Sequence, residues 1–358
     1  MWRKFVFPFL FIIIIIVVME TINSQMKESQ ILNKEAAQPT PISPSISHQF
    51  EQYEELLERP KIGLSTYVSH PIEEWIEKYG EPSRIEPSLY AYHWYIYPKM
   101  RTMVGVNTDG TINQIYTMNE ELNTEPYRID ESVEHVLSTA ILNTEVAFQH
   151  EDNQYIFTLT QEDIQERLLL AFQQLNMQIY FDVEEKRIEA IRFIDDATLL
   201  LHQPYDLYYE GTVSPRPPVS SEQSSDVYRA AERQLVDLSN WLRLSHARKK
   251  LESDYSLTVF ARRMSEQFAL SALTEEKSDN LPNRLKQFNI KHEKAGENTA
   301  LSSGDAIEVM HGFLNSPEHR KVMLSDQYTH IGASVYGNYY VLEYIYKAPD
   351  PAEYEEMR

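Results

Sequence analysis

Residues 295–320 read AGENTALSSGDAIEVMHGFLNSPEHR, and the rest of the chain is organised around them. Glu297 closes a Gly-Glu-Asn turn, and Ser302, Ser303 and Asp305 supply the hydroxyl and carboxylate acceptors that start helices. Ile307, Met310, His311 and Leu314 then recur at helical spacing, which predicts one buried helix face. Asn315-Ser316-Pro317 ends that helix and opens a short second one carrying His319. A loop carboxylate and a helix-start imidazole are thereby expected to be tied together in one unit.

Working outward, Ala231, Leu235, Leu238 and Leu242 fall on one helical stripe, and Leu257, Phe260, Ala261, Met264 and Phe268 on the next. After the quoted stretch, residues 331–336, a Gly337-Asn338 turn and residues 339–346 predict a β-hairpin. Gly-Glu-Asn, a helix, Asn-Ser-Pro-x-His-Arg and a terminal hairpin together resemble the CAP (SCP/PR-1-like) domain of secreted bacterial proteins, over residues 227–347. Asn240, Arg243, Leu251, Asp254, Ser265 and Ile331-Gly332-Ala333-Ser334-Val335 extend the match. The resemblance implies an α-β-α sandwich.

In many CAP domains two histidines and two acidic residues meet in a cleft where a divalent metal can sit. Matched residue by residue, Glu297 and His319 take two of those positions, and the implied ligand-binding cleft comprises Glu297, Asn298, His311 and His319. Residues 272–277, ALTEEK, hold no histidine, and the tryptophan-x-x-Glu position reads Phe313-Leu314-Asn315-Ser316. The metal candidates are therefore Glu297 and His319, two ligands where zinc takes three or four, unless Glu275, Glu276 or His311 moves in. No cofactor is expected beyond a weakly bound divalent metal. Each residue also has a structural reading: His311 as a hydrogen-bonded core histidine, and Glu297 and His319 as a pair that locks a loop to a helix start.

Upstream, residues 62–209 have their own organisation. Ile72, Trp75, Ile76 and Tyr79 mark a helix that Gly80-Glu81-Pro82 stops, and residues 90–97, 102–106 and 112–117 are β-prone runs. Alternation on residues 90–97, YAYHWYIY, favours core packing over an exposed ligand platform. A helix over residues 162–175 should then lead into strands at 178–182 and 188–194. Gly80-Glu81-Pro82-Ser83-Arg84, the spaced aromatics from Tyr90 and Val104-Gly105-Val106 resemble the CAP-associated amino-terminal domain that commonly precedes a CAP domain in Bacilli. The expected fold class is α+β, an N-terminal α+β domain followed by a CAP-type α-β-α sandwich. The expected layout is a signal anchor or signal peptide over 1–22, a polar spacer over 23–59, the N-terminal domain over 60–210, a Pro/Ser-rich linker over 211–226, the CAP domain over 227–348 and an acidic tail over 349–358.

Residues 5–19, FVFPFLFIIIIIVVM, follow Arg3 and Lys4 and read as an export signal. No small-x-small cleavage pattern follows, so a single-pass anchor with the bulk outside the cytoplasm is the first reading, and secretion after cleavage the alternative. A net charge of −21 argues against nucleic acid and against docking on anionic lipid headgroups. With no cysteine, disulfide frameworks, thiolate metal sites and cysteine nucleophiles are excluded. His292-Glu293 starts like a metalloprotease helix, but the fifth position is Gly296. Two functions stay open: a non-enzymatic binding module for a cell-envelope component, lipid or partner protein, or a hydrolase using Glu297 as base and His319 as acid or metal ligand.

Overall fold

The computed structural model describes residues 31–35, 37–41, 57–90, 92–150, 152–213, 221–271 and 280–348. Two short strands come first, β1 (Leu32–Lys34) and β2 (Thr40–Pro41). In the N-terminal domain, α1 (Ile72–Tyr79) buries Ile72 and Trp75, and Gly80, at φ 84°, ends it as the sequence predicts. Next come β3 (Arg84–Pro87), β4 (His93–Tyr97), β5 (Thr102–Val106), β6 (Ile112–Thr117), α2 (Val133–Thr139), β7 (Glu145–His150) and β8 (Asn153–Thr158). The domain closes with α3 (Gln161–Glu166), β9 (Arg167–Phe172), β10 (Leu175–Asp182), β11 (Arg187–Ile194), α4 (Asp196–His202) and β12 (Asp206–Glu210). A seven-stranded sheet runs β3-β4-β5-β6-β11-β10-β9, and a four-stranded sheet β2-β12-β8-β7 packs on one of its faces.

One expected element is replaced. The helix anticipated over residues 162–175 is a six-residue helix, α3, followed by strand β9. Thr160 and Asp163 form a capping box that starts α3, but Arg167-Leu-Leu-Leu-Ala-Phe172 pairs antiparallel with β10 through a tight turn in which Gln174 takes φ 58°. Leu168, Leu169 and Leu170 are all buried, so both faces of β9 are covered. An apolar run of that kind has no period that distinguishes helix from strand.

The CAP region begins with α5 (Ser221–Ser245), β13 (Glu252–Ser253), α6 (Tyr255–Ser271) and α7 (Leu281–Gln287). It continues with β14 (Lys294–Ser302), α8 (Ala306–Asn315), α9 (Pro317–Met323), β15 (His330–Tyr336) and β16 (Tyr339–Tyr346). Its sheet runs β1-β14-β16-β15-β13. Along β16 the side chains alternate: Tyr340, Leu342 and Tyr344 join a core with α5 and α8, while Val341 and Ile345 join one with α6 and α7. The sheet therefore lies between two helical layers, the α-β-α sandwich expected. Gly332 on β15 is needed because a Cβ there would come within 2.5 Å of the backbone of Leu257 and Thr258 on α6.

The two domains share a core. Tyr92, Trp94, Ile96, Met103, Tyr116 and Tyr180, on one face of the seven-stranded sheet, pack into the same cluster as Leu235, Leu238, Met310 and Phe313 of the CAP helices. Tyr90, Tyr92, Trp94 and Ile96 are thus core while His93 between them is exposed, as alternation implies, and the core they fill is the interdomain one. Buried charges cross the same interface: Arg192, fully buried, meets Asp305 at 2.8 Å and Gln114 at 2.7 Å, and Arg167 meets Glu308 at 2.7 Å.

Within the expected polar spacer, β1 and β2 are strands of the two domains' sheets. The anticipated linker gives way to helix at Ser221. The expected anchor over residues 1–22 and the acidic tail over 349–358 lie outside the described residues.

Candidate functional site

Glu297 is not in a loop. It sits in the middle of β14, directly opposite Glu343 of β16. Two carboxylates facing each other across an antiparallel pair repel, and the arrangement persists because a cation is built in. Asn280 caps α7 by accepting from the backbone N–H of Asn283, and Pro282 fits the first helical turn. One turn in, Arg284 extends towards β14, and its guanidinium donates to both Glu297 oxygens at 3.1 Å. Arg284 and Glu297 side chains are 6% and 9% exposed, and Glu343 is fully buried. Burial first, and then the neighbouring Glu297 charge, push Glu343 well above the usual carboxylate range and favour its neutral form.

Asn298, next along β14, points to the opposite face and donates to the His319 carbonyl at 3.0 Å, which fixes the start of α9. The His319 ring is buried, stacks on Phe313 with centroids 5.0 Å apart and bonds through Nδ1 to the Ser316 hydroxyl at 2.7 Å. Ser316 stands where the family resemblance implies a carboxylate, so a neutral hydroxyl holds this ring. Asn298 and His319 thus meet between β14 and α9, whereas the Glu297 carboxylate, one residue earlier on the strand, turns to the other face towards Arg284. The expected pairing of Glu297 with His319 gives way to separate contacts on the two faces of β14.

His311 does not join them. It lies on the face of α8 towards the N-terminal domain, where Nε2 meets the Tyr116 hydroxyl at 2.8 Å and the ring stacks on Tyr180 with centroids 4.3 Å apart. Complete burial pushes its pKa down to about 3, so it is neutral. The core reading of His311 is the one its geometry supports.

The described donor set does not fit a divalent cation. Arg284 places a fixed positive charge on both oxygens of Glu297 and the facing Glu343 favours its protonated form, so this acidic pair repels a cation, while the Ser316 bond engages only Nδ1 of His319. Glu275 and Glu276, the candidates to complete a site, lie outside the described residues. The same bidentate contact fixes the nearly buried Glu297 carboxylate against Arg284, which weighs against general-base chemistry there.

A second charged group was not anticipated. Asp182, Glu189 and His246 bring one ligand atom each within 4.8 Å of one another. Arginines neutralise it: Arg320 meets both Asp182 oxygens at 3.0 Å, and Arg187 meets Glu189 at 2.8 Å. His246 bonds Asp182 at 2.7 Å. These contacts join β10 and β11 to α5 and α9, which makes the group an interdomain fastening. Asn315 reinforces it by donating to the Phe181 carbonyl at 2.9 Å and accepting from the Val183 N–H at 3.1 Å.

Sequence reading found Glu297, Asn298 and His319 through their motifs and missed Arg284 and Glu343. The signal for Glu343 was its place as the one charge in the β-prone run Tyr339–Tyr346. Arg284 carries no motif, so only the fold reveals its target.

Comparison with known proteins gives matches to two family models, CAP-associated N-terminal over residues 69–205 and the cysteine-rich secretory protein family (CAP) over residues 236–346. A Bacillus subtilis protein described as an uncharacterized membrane protein, YlbC, is 30% identical over 84% of this chain and 89% of its own length. The crystal structure of an extracellular SCP-domain protein from Bacillus anthracis superposes with a TM-score of 0.74 at 28% identity, covering 82% of this chain and 98% of that one. A cysteine-rich secretory protein from Staphylococcus aureus shares the fold with a TM-score of 0.74 at 21% identity, over 89% of this chain and 99% of that one.

Proposed function

Because this chain belongs to the CAP family and carries a CAP-associated N-terminal domain ahead of its CAP domain, we propose that it is a non-enzymatic binding protein of the cell envelope. In this reading its N-terminal segment holds it at the membrane, and both folded domains lie outside the cytoplasm, where they bind an envelope component, a lipid or a partner protein. The observation that carries the non-enzymatic reading is the pairing of Arg284 with both oxygens of Glu297 opposite Glu343. It turns the residue best placed to be a base or metal ligand into half of a buried ion pair. The extensive interdomain core supports a rigid two-domain platform over a pair of independently moving modules.

Similarity to a membrane protein over 84% of the chain supports anchoring, and similarity to an extracellular SCP-domain protein supports export. Among the described residues no helix is long and apolar enough to cross a membrane, which leaves residues 1–22 as the anchoring segment of this proposal.

Incubation of the purified chain with cell-wall fragments, and separately with vesicles of neutral lipid, tests the reading. Co-sedimentation with one of them, unchanged by Glu297→Gln and without release of soluble fragments, is the expected result. Release of fragments that Glu297→Gln abolishes would assign the hydrolase instead.

A further inference from the structure

The segment that enters the folded region after the N-terminal apolar run does something a spacer does not: it completes both domains. β1 adds a parallel strand to the edge of β14, with Leu32 opposite Ala300, Asn33 opposite Leu301 and Lys34 opposite Ser302. Six residues later β2 adds a parallel strand to β12, with Thr40 opposite Tyr208 and Pro41 opposite Tyr209.

The seat for β1 is shaped to its side chains. Leu32 lies over Gly312 of α8, where a Cβ would come within 2.9 Å of the leucine Cδ2 and 3.7 Å of Lys34 Cε. Leu32 also packs against the interdomain core. The Lys34 ammonium crosses to the N-terminal domain, where it pairs with Glu162 and with Glu166, the latter at 3.1 Å. Beneath it is a cavity of about 40 Å³ between the domains, into whose lining fall Glu162, Glu166, His311, Gly312 and Asn315. A bare glycine for the leucine, two carboxylates for the lysine and a free strand edge for the backbone make a site for strand addition.

Three paired residues hold β1 on that edge, and short elements of this kind open locally at little cost. Residues 35–39 tie β1 to β2, so the two leave together, and the fifteen residues 42–56 between Pro41 and Leu57, which bridges to Phe172, span roughly 50 Å when extended. Every copy of the chain carries the same segment and the same seat, so exchange between copies creates no new surface chemistry and needs no complementarity beyond that already present in one chain.

We propose that the β14 edge at Ala300–Ser302, with the Gly312 surface and the Glu162/Glu166 pair, is a strand-exchange site whose partner is the Leu32–Lys34 segment of a second copy of this chain. Leu32–Lys34 occupies it within one chain at low density, and copies crowded on one surface exchange it. The site uses the end of β14 away from Glu297; the crowding rests on the anchoring proposed above, and the seat itself does not.

The absence of cysteine from the sequence makes the test direct. Full-length Asn33→Cys chain is mixed with full-length Leu301→Cys chain bearing a size tag, at high density in detergent or lipid discs, and oxidised. A covalent heterodimer is expected, exceeding either homodimer. The Asn33→Cys, Leu301→Cys double variant, diluted, should close within one chain. Closure within the double variant with no heterodimer from the mixture would overturn exchange, and failure of both cross-links would overturn the seat itself.

Discussion

Replacing Arg284 with alanine is expected to lower the unfolding free energy by about 3–5 kcal/mol in a denaturant titration, the usual cost of removing one partner from a buried ion pair. Arg284 is 5% exposed, and the charge it leaves behind, Glu297, faces fully buried Glu343 across the β14–β16 pair. The companion double variant, Arg284→Met with Glu297→Leu, removes both charges and should recover most of the loss, since apolar residues of similar size commonly replace a buried pair at little cost. A loss below 1 kcal/mol for Arg284→Ala would mean that Glu297 is solvated, and would return it to the pool of available bases and ligands.

The other large effect is expected at Asp182. Asp182→Ala strips the shared partner from Arg320 and His246 at the domain interface, and should also cost about 3–5 kcal/mol. Its pH dependence identifies the contact. Burial alone would raise the Asp182 pKa, but hydrogen bonds from His246 and the Glu185 N–H, with the Arg320 charge, outweigh it and hold the carboxyl at about 2, below its ordinary 3.8. Its contribution is therefore complete above pH 3.8 and is lost as pH falls towards 2. For His246, burial lowers the pKa, and the Asp182 hydrogen bond and the Glu189 charge more than reverse this, leaving it above its ordinary 6.5. That contribution is present below pH 6.5 and is lost as pH rises through the raised value. The stability difference between wild type and Asp182→Ala, measured by urea midpoints across pH, should thus be largest between about pH 4 and 6.5 and shrink on both sides. A flat difference would show that the contact carries no charge linkage.

Much of the CAP domain was legible because its signals are local. The stripe of Ile307, Met310, His311 and Leu314 predicts α8, and Gly337-Asn338 marks the hairpin turn between β15 and β16. The N-terminal domain was legible where β-prone runs are set off by turn residues, as β5 and β6 are by Asn107-Thr108-Asp109-Gly110, and failed at β9, where three consecutive leucines are covered on both faces. The site was half legible. Glu297 and His319 announce themselves by motif, but the meaning of Glu297 depends on Arg284 and Glu343, which reach it from a different helix and a different strand. His311 illustrates the same limit: its helical position reveals burial, and only tertiary structure shows that Tyr116 and Tyr180 of the other domain bury it. Nothing local in residues 32–41 signals that they add one strand to each domain, because strand addition at an edge is specified by the edge that receives it.

Glu297 is held by an internal cation, Arg284, and calorimetric titration of zinc into the folded full-length chain tests this most directly. Wild type is expected to show no saturable binding that depends on Glu297, with identical traces for wild type and Glu297→Ala. Stoichiometric zinc binding by wild type that is lost in both Glu297→Ala and His319→Ala, with folding preserved, would contradict it and make both residues metal ligands.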